Sequence, residues 1–147
     1  MLDPDGRTLL FQFTDCWLTP GGGIQRGETP AAAAVRELAE ETGYVIDQAD
    51  IGPVVATCAR RWRSGSGTVH LAADSFYCVR VEDPEIRTEG QEDYERTLIT
   101  AHRWWSPAEL AETPEKILPD ALPGLVAQIL DSGLPDWPAR LPWSDAS

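Results

Sequence analysis

From Gly21 to Tyr44 the chain reads GGGIQRGETPAAAAVRELAEETGY, and this stretch constrains the fold more than any other. Three consecutive glycines demand a loop. Thr29 then offers an N-cap hydroxyl and Pro30 the favoured first helical residue. Ala31–Leu38 are strong helix formers, and Gly43 stands where a C-terminal cap belongs. The pattern predicts a helix from Pro30 to about Thr42. At about 100° per residue, Ala31, Ala34, Val35 and Leu38 share the stripe that packs on a sheet. Glu37, Glu40 and Glu41 crowd onto the adjacent face. Like charges at spacings of three and four repel, so the cluster is unfavourable unless something positive sits among them. A plain solvated helix face is the other reading.

The remaining chain supplies strands for that helix to pack on. "DPDG" at Asp3–Gly6 is a turn leading into an apolar strand, Leu9–Phe13. Val54–Trp62 and His70–Val81 are rich in β-branched, aromatic and small apolar residues, and the turn Arg63–Gly67 between them predicts an antiparallel hairpin. Glu82–Glu95 reads as an acidic surface loop and Thr97–Trp105 as a further strand. "SPAEL" at Ser106–Leu110 opens a helix, with a cap, a proline and a third-position glutamate. Leu122–Leu130 is a last amphipathic helix, and from about residue 133 the Pro/Trp-rich tail reads as irregular. No repeat or linker divides the 147 residues, so one domain spanning 1–147 is expected.

Composition excludes several classes of function. The formal net charge is −12, which repels a long phosphate backbone, so no long nucleic acid is expected as partner. No apolar run approaches the roughly 20 residues of a membrane span, so no membrane partner is expected. Three widely spaced cysteines, Cys16, Cys58 and Cys78, argue against a disulfide framework and fit a reducing, cytoplasmic setting. Eleven of the twelve basic residues are arginines. Arg60, Arg61 and Arg63 cluster on one strand, where guanidinium forks suit phosphate or a solvated face. Trp17, Trp62 and Tyr77 are aromatic enough to stack a base, with core packing as the competing role. His102 lacks a partner that would mark it as a catalytic base.

Gly22, Glu28, Arg36-Glu37-Leu38, Glu40-Glu41 and Gly43 form G-x5-E-x7-R-E-U-x-E-E-x-G. This resembles the signature of the Nudix hydrolase family at every fixed position. Tyr44 replaces the bulky aliphatic that usually closes it, and Trp17–Gly23 is similar to the family's Trp-x-x-Pro-Gly-Gly approach. The resemblance implies an α/β fold of the Nudix type, an α/β/α sandwich around a mixed β-sheet. Only Met1 and Leu2 precede the first turn, where the family has a full strand. The expectation is therefore that the native chain starts upstream, or that the sheet lacks most of its first strand and exposes an edge a partner chain could cover.

The resemblance also implies a reaction: hydrolysis of the diphosphate linkage of a nucleoside diphosphate joined to another group, by water activated at Mg²⁺ or Mn²⁺. It assigns Glu37, Glu40 and Glu41 as metal-binding and catalytic, with the backbone of Gly21 or Gly22 a further ligand. Glu28 and Arg36 orient these carboxylates, and Gly22 and Gly43 shape the loop and the helix end. Many family members draw another acid from outside the signature, for which Glu92 and Glu95 are the candidates. Hard oxygen ligands suit Mg²⁺ and would relieve the glutamate repulsion. The family's markers for ADP-ribose, dinucleoside polyphosphates and coenzyme A are absent here, which leaves a nucleoside triphosphate or a nucleotide sugar as the small substrate. A nucleotide-binding sensor without turnover is the alternative. Monomer and homodimer are both compatible with the sequence.

Overall fold

The apolar run after the first turn forms β1 (Thr8–Gln12), whose Leu9 and Leu10 are fully buried. The computed structural model describes residues 1–142, and the side chain of Trp62, a substrate candidate, lies outside the described residues. In chain order there follow β2 (Trp17–Leu18), α1 (Pro30–Thr42), a 3₁₀ turn (Gln48–Asp50), β3 (Val54–Arg63) and β4 (Val69–Tyr77). After these come α2 (Asp93–Leu98), β5 (Ala101–Trp105), α3 (Pro107–Glu112), β6 (Ile117–Leu118), α4 (Leu122–Ser132) and β7 (Ala139–Leu141).

The strands form two mixed sheets. One runs β5-β1-β2-β6, with β1 antiparallel to β5 and β2, and β2 parallel to β6. The other runs β4-β3-β7, antiparallel then parallel. Leu2 joins them through an antiparallel bridge to Thr8 and a parallel bridge to Arg80. Leu10, Trp17, Val55 and Trp105 meet Leu125, Val126 and Ile129 of α4 in one core. The rings of Trp17 and Trp105 pack edge to face at 5.1 Å and 79°, a favoured aromatic geometry. No helix among the described residues is long and apolar enough to cross a membrane.

Two segments differ from the sequence reading. Residues 97 and 98, expected in a strand, close α2, and β5 begins only at Ala101. The cause is local: Glu95 reaches back to accept the Glu92 N–H at 2.8 Å, half of a capping box that starts a helix inside an acidic stretch. Arg96 fastens the preceding loop by donating to the carbonyls of Gln91 and Glu89. The tail beyond residue 133 is not wholly irregular either, because β7 pairs in parallel with Ala56–Cys58 and buries Leu141.

Helix α1 has the predicted bounds. The Thr29 hydroxyl accepts the Ala32 N–H at 3.1 Å, and Gly43 ends the helix in the left-handed region at φ 75°. The chain after β4 returns to this end, where the Arg87 N–H donates to the Thr42 carbonyl at 2.9 Å. A Cβ on Gly43 would stand 2.7 Å from the Arg87 Cβ, and one on Gly90 would stand 2.8 Å from the Glu40 carbonyl oxygen. Gly43→Ala combines a disfavoured φ with that contact. We expect a loss of about 2 kcal/mol in unfolding free energy, read as a Tm lower by roughly 4–8 °C.

Candidate active site

Because α1 begins at Pro30, the residues Arg36, Glu37, Glu40 and Glu41 fall on its last two turns, beside the glycine loop. Arg36 ties the two together. Its Nε donates to Glu28 Oε1 at 2.8 Å, Nη1 to Glu37 Oε1 at 2.9 Å and Glu40 Oε2 at 3.1 Å, and Nη2 to the Gly23 carbonyl at 2.9 Å. One planar fork thus orients three carboxylates and one loop carbonyl. Pairing with Arg36 holds the Glu28 carboxyl below its ordinary range.

Glu37 and Glu41 are buried, and α2 brings a third buried carboxylate, Glu95, to meet them. One oxygen from each lies within 4.8 Å of the other two. The Gly21 N–H donates to Glu41 Oε2 at 2.7 Å, so the backbone role observed for Gly21 is as a donor to this carboxylate. Gly22 has a steric reason to be glycine, since its Cβ would lie 2.2 Å from Glu37 Oε1. Burial pushes the Glu41 carboxyl up to about 8, the neighbouring charges of Glu95, Glu37 and Glu40 adding to the rise and the Gly21 hydrogen bond opposing it. Burial raises Glu37 as well, opposed by Arg36.

These residues fit a divalent cation. Glu37 Oε2 is buried without a hydrogen-bond partner among the described residues, and an orphaned buried acceptor is costly. Three converging carboxylates are a donor set for a hard cation. The geometry assigns Glu37, Glu41 and Glu95 to this set and leaves two sequence candidates outside it. Glu40 is half-buried, its carboxylate turned to Arg36. Glu92 is exposed at the start of α2 and contributes its backbone N–H to placing Glu95.

The substrate candidates separate too. Trp17 is buried in the core, its indole N–H donating to Glu115, and is not among the residues that line the cavity beside Glu37. Arg61 and Arg63 are exposed, Arg63 closing its own turn by donating to the Gly67 carbonyl at 2.8 Å. Arg60 and Tyr77 line a cavity of about 560 Å³ that reaches Gly21–Gly23 and Glu37. His102 packs edge-on against Phe11. Sequence reasoning missed Gln91, a buried residue whose side-chain amide donates to the Glu41 carbonyl, and Asp74, which lines the same cavity. The one sequence signal for Asp74 was a charged residue inside an otherwise apolar strand.

Comparison with known proteins concerns the family and the fold. The NUDIX domain family model matches residues 1–124. The chain belongs to the Nudix family. Nudix hydrolase 25 of Arabidopsis thaliana is 34% identical over 112 residues, which is 65% of this chain and 61% of the relative. The ADP-sugar pyrophosphatase of Mus musculus is 52% identical over 40 residues, 27% of this chain and 18% of its own. This Nudix chain therefore spans less than two thirds of the length of these curated relatives. Among solved structures, the E. coli ORF135 protein superposes with a TM-score of 0.54 at 24% identity, over 93% of this chain and 90% of its own. That likeness concerns the fold.

The raised carboxyls make a pH prediction. Glu41 carries its proton in the folded, chelated protein between its unfolded value of 4.5 and about 8. The folded state then binds more protons than the unfolded one, so stability falls as pH rises through that window. We expect wild type in chelator to lose roughly 3–5 kcal/mol between pH 5 and pH 8.5, and Glu41→Gln to lose distinctly less. Denaturant melts at the two pH values measure this, and identical slopes for both proteins would contradict it.

Proposed function

We propose that this chain is a divalent-cation-dependent hydrolase of the diphosphate linkage in a nucleoside diphosphate derivative, either a nucleoside triphosphate or a nucleotide sugar. The observation that carries the reading is the buried triad Glu37, Glu41 and Glu95, with Glu37 Oε2 unpartnered, at the side of a cavity large enough for a nucleoside. Membership of the Nudix family and the name of the Arabidopsis relative support it.

Glu37, Glu41 and Glu95 would hold Mg²⁺ or Mn²⁺, which when bound supplies charge neutralisation of the diphosphate and a more acidic water. Arg36 keeps Glu37 in place through a 2.9 Å contact and holds Glu40 and Glu28 by the same fork. The Gly21 N–H fixes Glu41 Oε2 at 2.7 Å. Burial pushes the Glu41 carboxyl up to about 8 without a cation, and a bound cation would favour its ionised form, so that cation binding would release a proton from it. The glycine loop Gly21–Gly23 lets a phosphate approach the main chain closely. A net charge of −12 disfavours long nucleic acids and favours a small anion neutralised locally.

The test is turnover of nucleoside triphosphates, nucleotide sugars, ADP-ribose and dinucleoside polyphosphates with Mg²⁺ or Mn²⁺. We expect cation-dependent release of product from one class. Glu41→Gln and Glu95→Gln should each lower kcat by about 10²–10⁴-fold, while Glu92→Gln leaves it unchanged. Equal losses for Glu92 and Glu95 would remove Glu95 from its assigned role. Cation and nucleotide binding without turnover would mark a sensor instead.

A further inference from the structure

The cavity beside the carboxylate triad has a second chemical feature, on the wall formed by β4. Asp74 and Arg60 both line it. The Arg60 Nε donates to Asp74 Oδ2 at 2.8 Å, and each side chain is only about one third exposed (38% and 31%). The two residues stand on neighbouring strands: Asp74 pairs with Cys58, and Arg60 with Ala72 two positions along. Much of the remaining lining is apolar, with Leu18, Ile24, Leu38, Ile51, Phe76 and Leu118. Glu37 and the glycine loop Gly21–Gly23 line the same cavity. A largely apolar cavity that holds a fixed carboxylate on β4 and borders the carboxylate triad suits a planar heterocycle joined to phosphates.

We propose that this cavity binds the base of the substrate and that Asp74 selects guanine. A carboxylate paired with a guanidinium is an acceptor only, offering about four lone-pair sites, of which the Arg60 Nε occupies one. It therefore requires hydrogen-bond donors from the base. Guanine alone among the common bases presents two adjacent donors on one edge, N1–H and the N2 amino group, spaced to meet the two oxygens of a carboxylate. Adenine and cytosine place an acceptor nitrogen beside their amino group, which a carboxylate repels. Uracil flanks its single N–H with two carbonyl oxygens, which it repels as well. Arg60 is the positioning residue in this arrangement, since its 2.8 Å contact fixes the orientation of the Asp74 carboxylate. The inference rests on the nucleotide reading above and narrows it to guanosine derivatives.

Nucleoside monophosphates lack a phosphoanhydride to cleave, so their binding reads the base apart from turnover. Calorimetry with Mg²⁺ should rank GMP tightest on wild type, with IMP, which lacks the N2 amino group, weaker by about tenfold. AMP, CMP and UMP should be weaker still. In Asp74→Asn the amide can donate to the O2 of xanthine and accept its N1–H, so that variant should lose its preference for GMP and bind XMP better than GMP. A purely structural ion pair would not produce such a reversal. Equal affinity for the wild type across the series, or a uniform loss in Asp74→Asn, overturns the proposal. The wild-type ranking decides the matter even where the variant fails to fold. Turnover of the substrate panel that is lost in Glu41→Gln, together with no discrimination among the monophosphates, would overturn this inference and leave the hydrolase reading standing.

Discussion

Three carboxylates brought within 4.8 Å of one another in a buried place repel each other and lose hydration, so the surrounding structure must hold them there against both effects. Arg36 supplies the nearest positive charge but reaches only Glu37 among the three. Glu41 is held by a backbone N–H, and Glu95 by the capping geometry of its own short helix. Each carboxylate is thus fastened by a different device, and the remaining deficit is what a proton or a cation would relieve. The high pKa of Glu41 and the orphaned oxygen of Glu37 are two expressions of that deficit.

The convergence also depends on close backbone approach at three glycines. Gly22 makes room for the Glu37 carboxylate, Gly90 for the backbone of α1 at Glu40, and Gly43 for the chain at Arg87. The last two dock the segment after β4 onto the end of α1, and that docking delivers Glu95. A side chain at any of the three would push apart elements whose separation sets the spacing of the site, because packed interiors absorb little added volume. The two-sheet core, with Trp17 and Trp105 in contact at its centre, is the rigid floor behind this arrangement. The same packing buries Trp17 in the core.

Much of this was legible in the chain. Thr29, Pro30 and Gly43 mark a helix by local chemistry, and the helix bounds came out as those residues imply. The spacing of Glu37, Glu40 and Glu41 put three acids on one side, and Arg36 at an i,i+4 distance from Glu40 was visible as a pair. Less was legible wherever an outcome depends on contacts distant in sequence. Glu92 and Glu95 are equally acidic neighbours, and only the direction in which α2 leaves its cap separates a buried carboxylate from an exposed one. Arg60, Arg61 and Arg63 read as one basic cluster, yet strand alternation and the hairpin turn send them to different surroundings. Strand β7 carries too few apolar residues to announce itself, and it forms because β3 offers an open edge beside Leu141.

What the sequence determined by itself is the local grammar: a glycine loop, a capped helix with its acids on one face, and strands of alternating burial, all set by interactions within a few residues. The tertiary structure decided which three acids converge, which tryptophan is core, and that Asp74 and Arg60 share a cavity with Glu37. Those outcomes require residues distant in the chain to meet, as Glu41 does with Gln91 at a separation of 50 and Trp17 with Glu115 at 98. The physical reason is that burial and charge proximity are properties of the packed chain. The repulsion between Glu37 and Glu41 is weak on a solvated helix and becomes strong, with Glu95 added to it, only once the fold has removed the water between them.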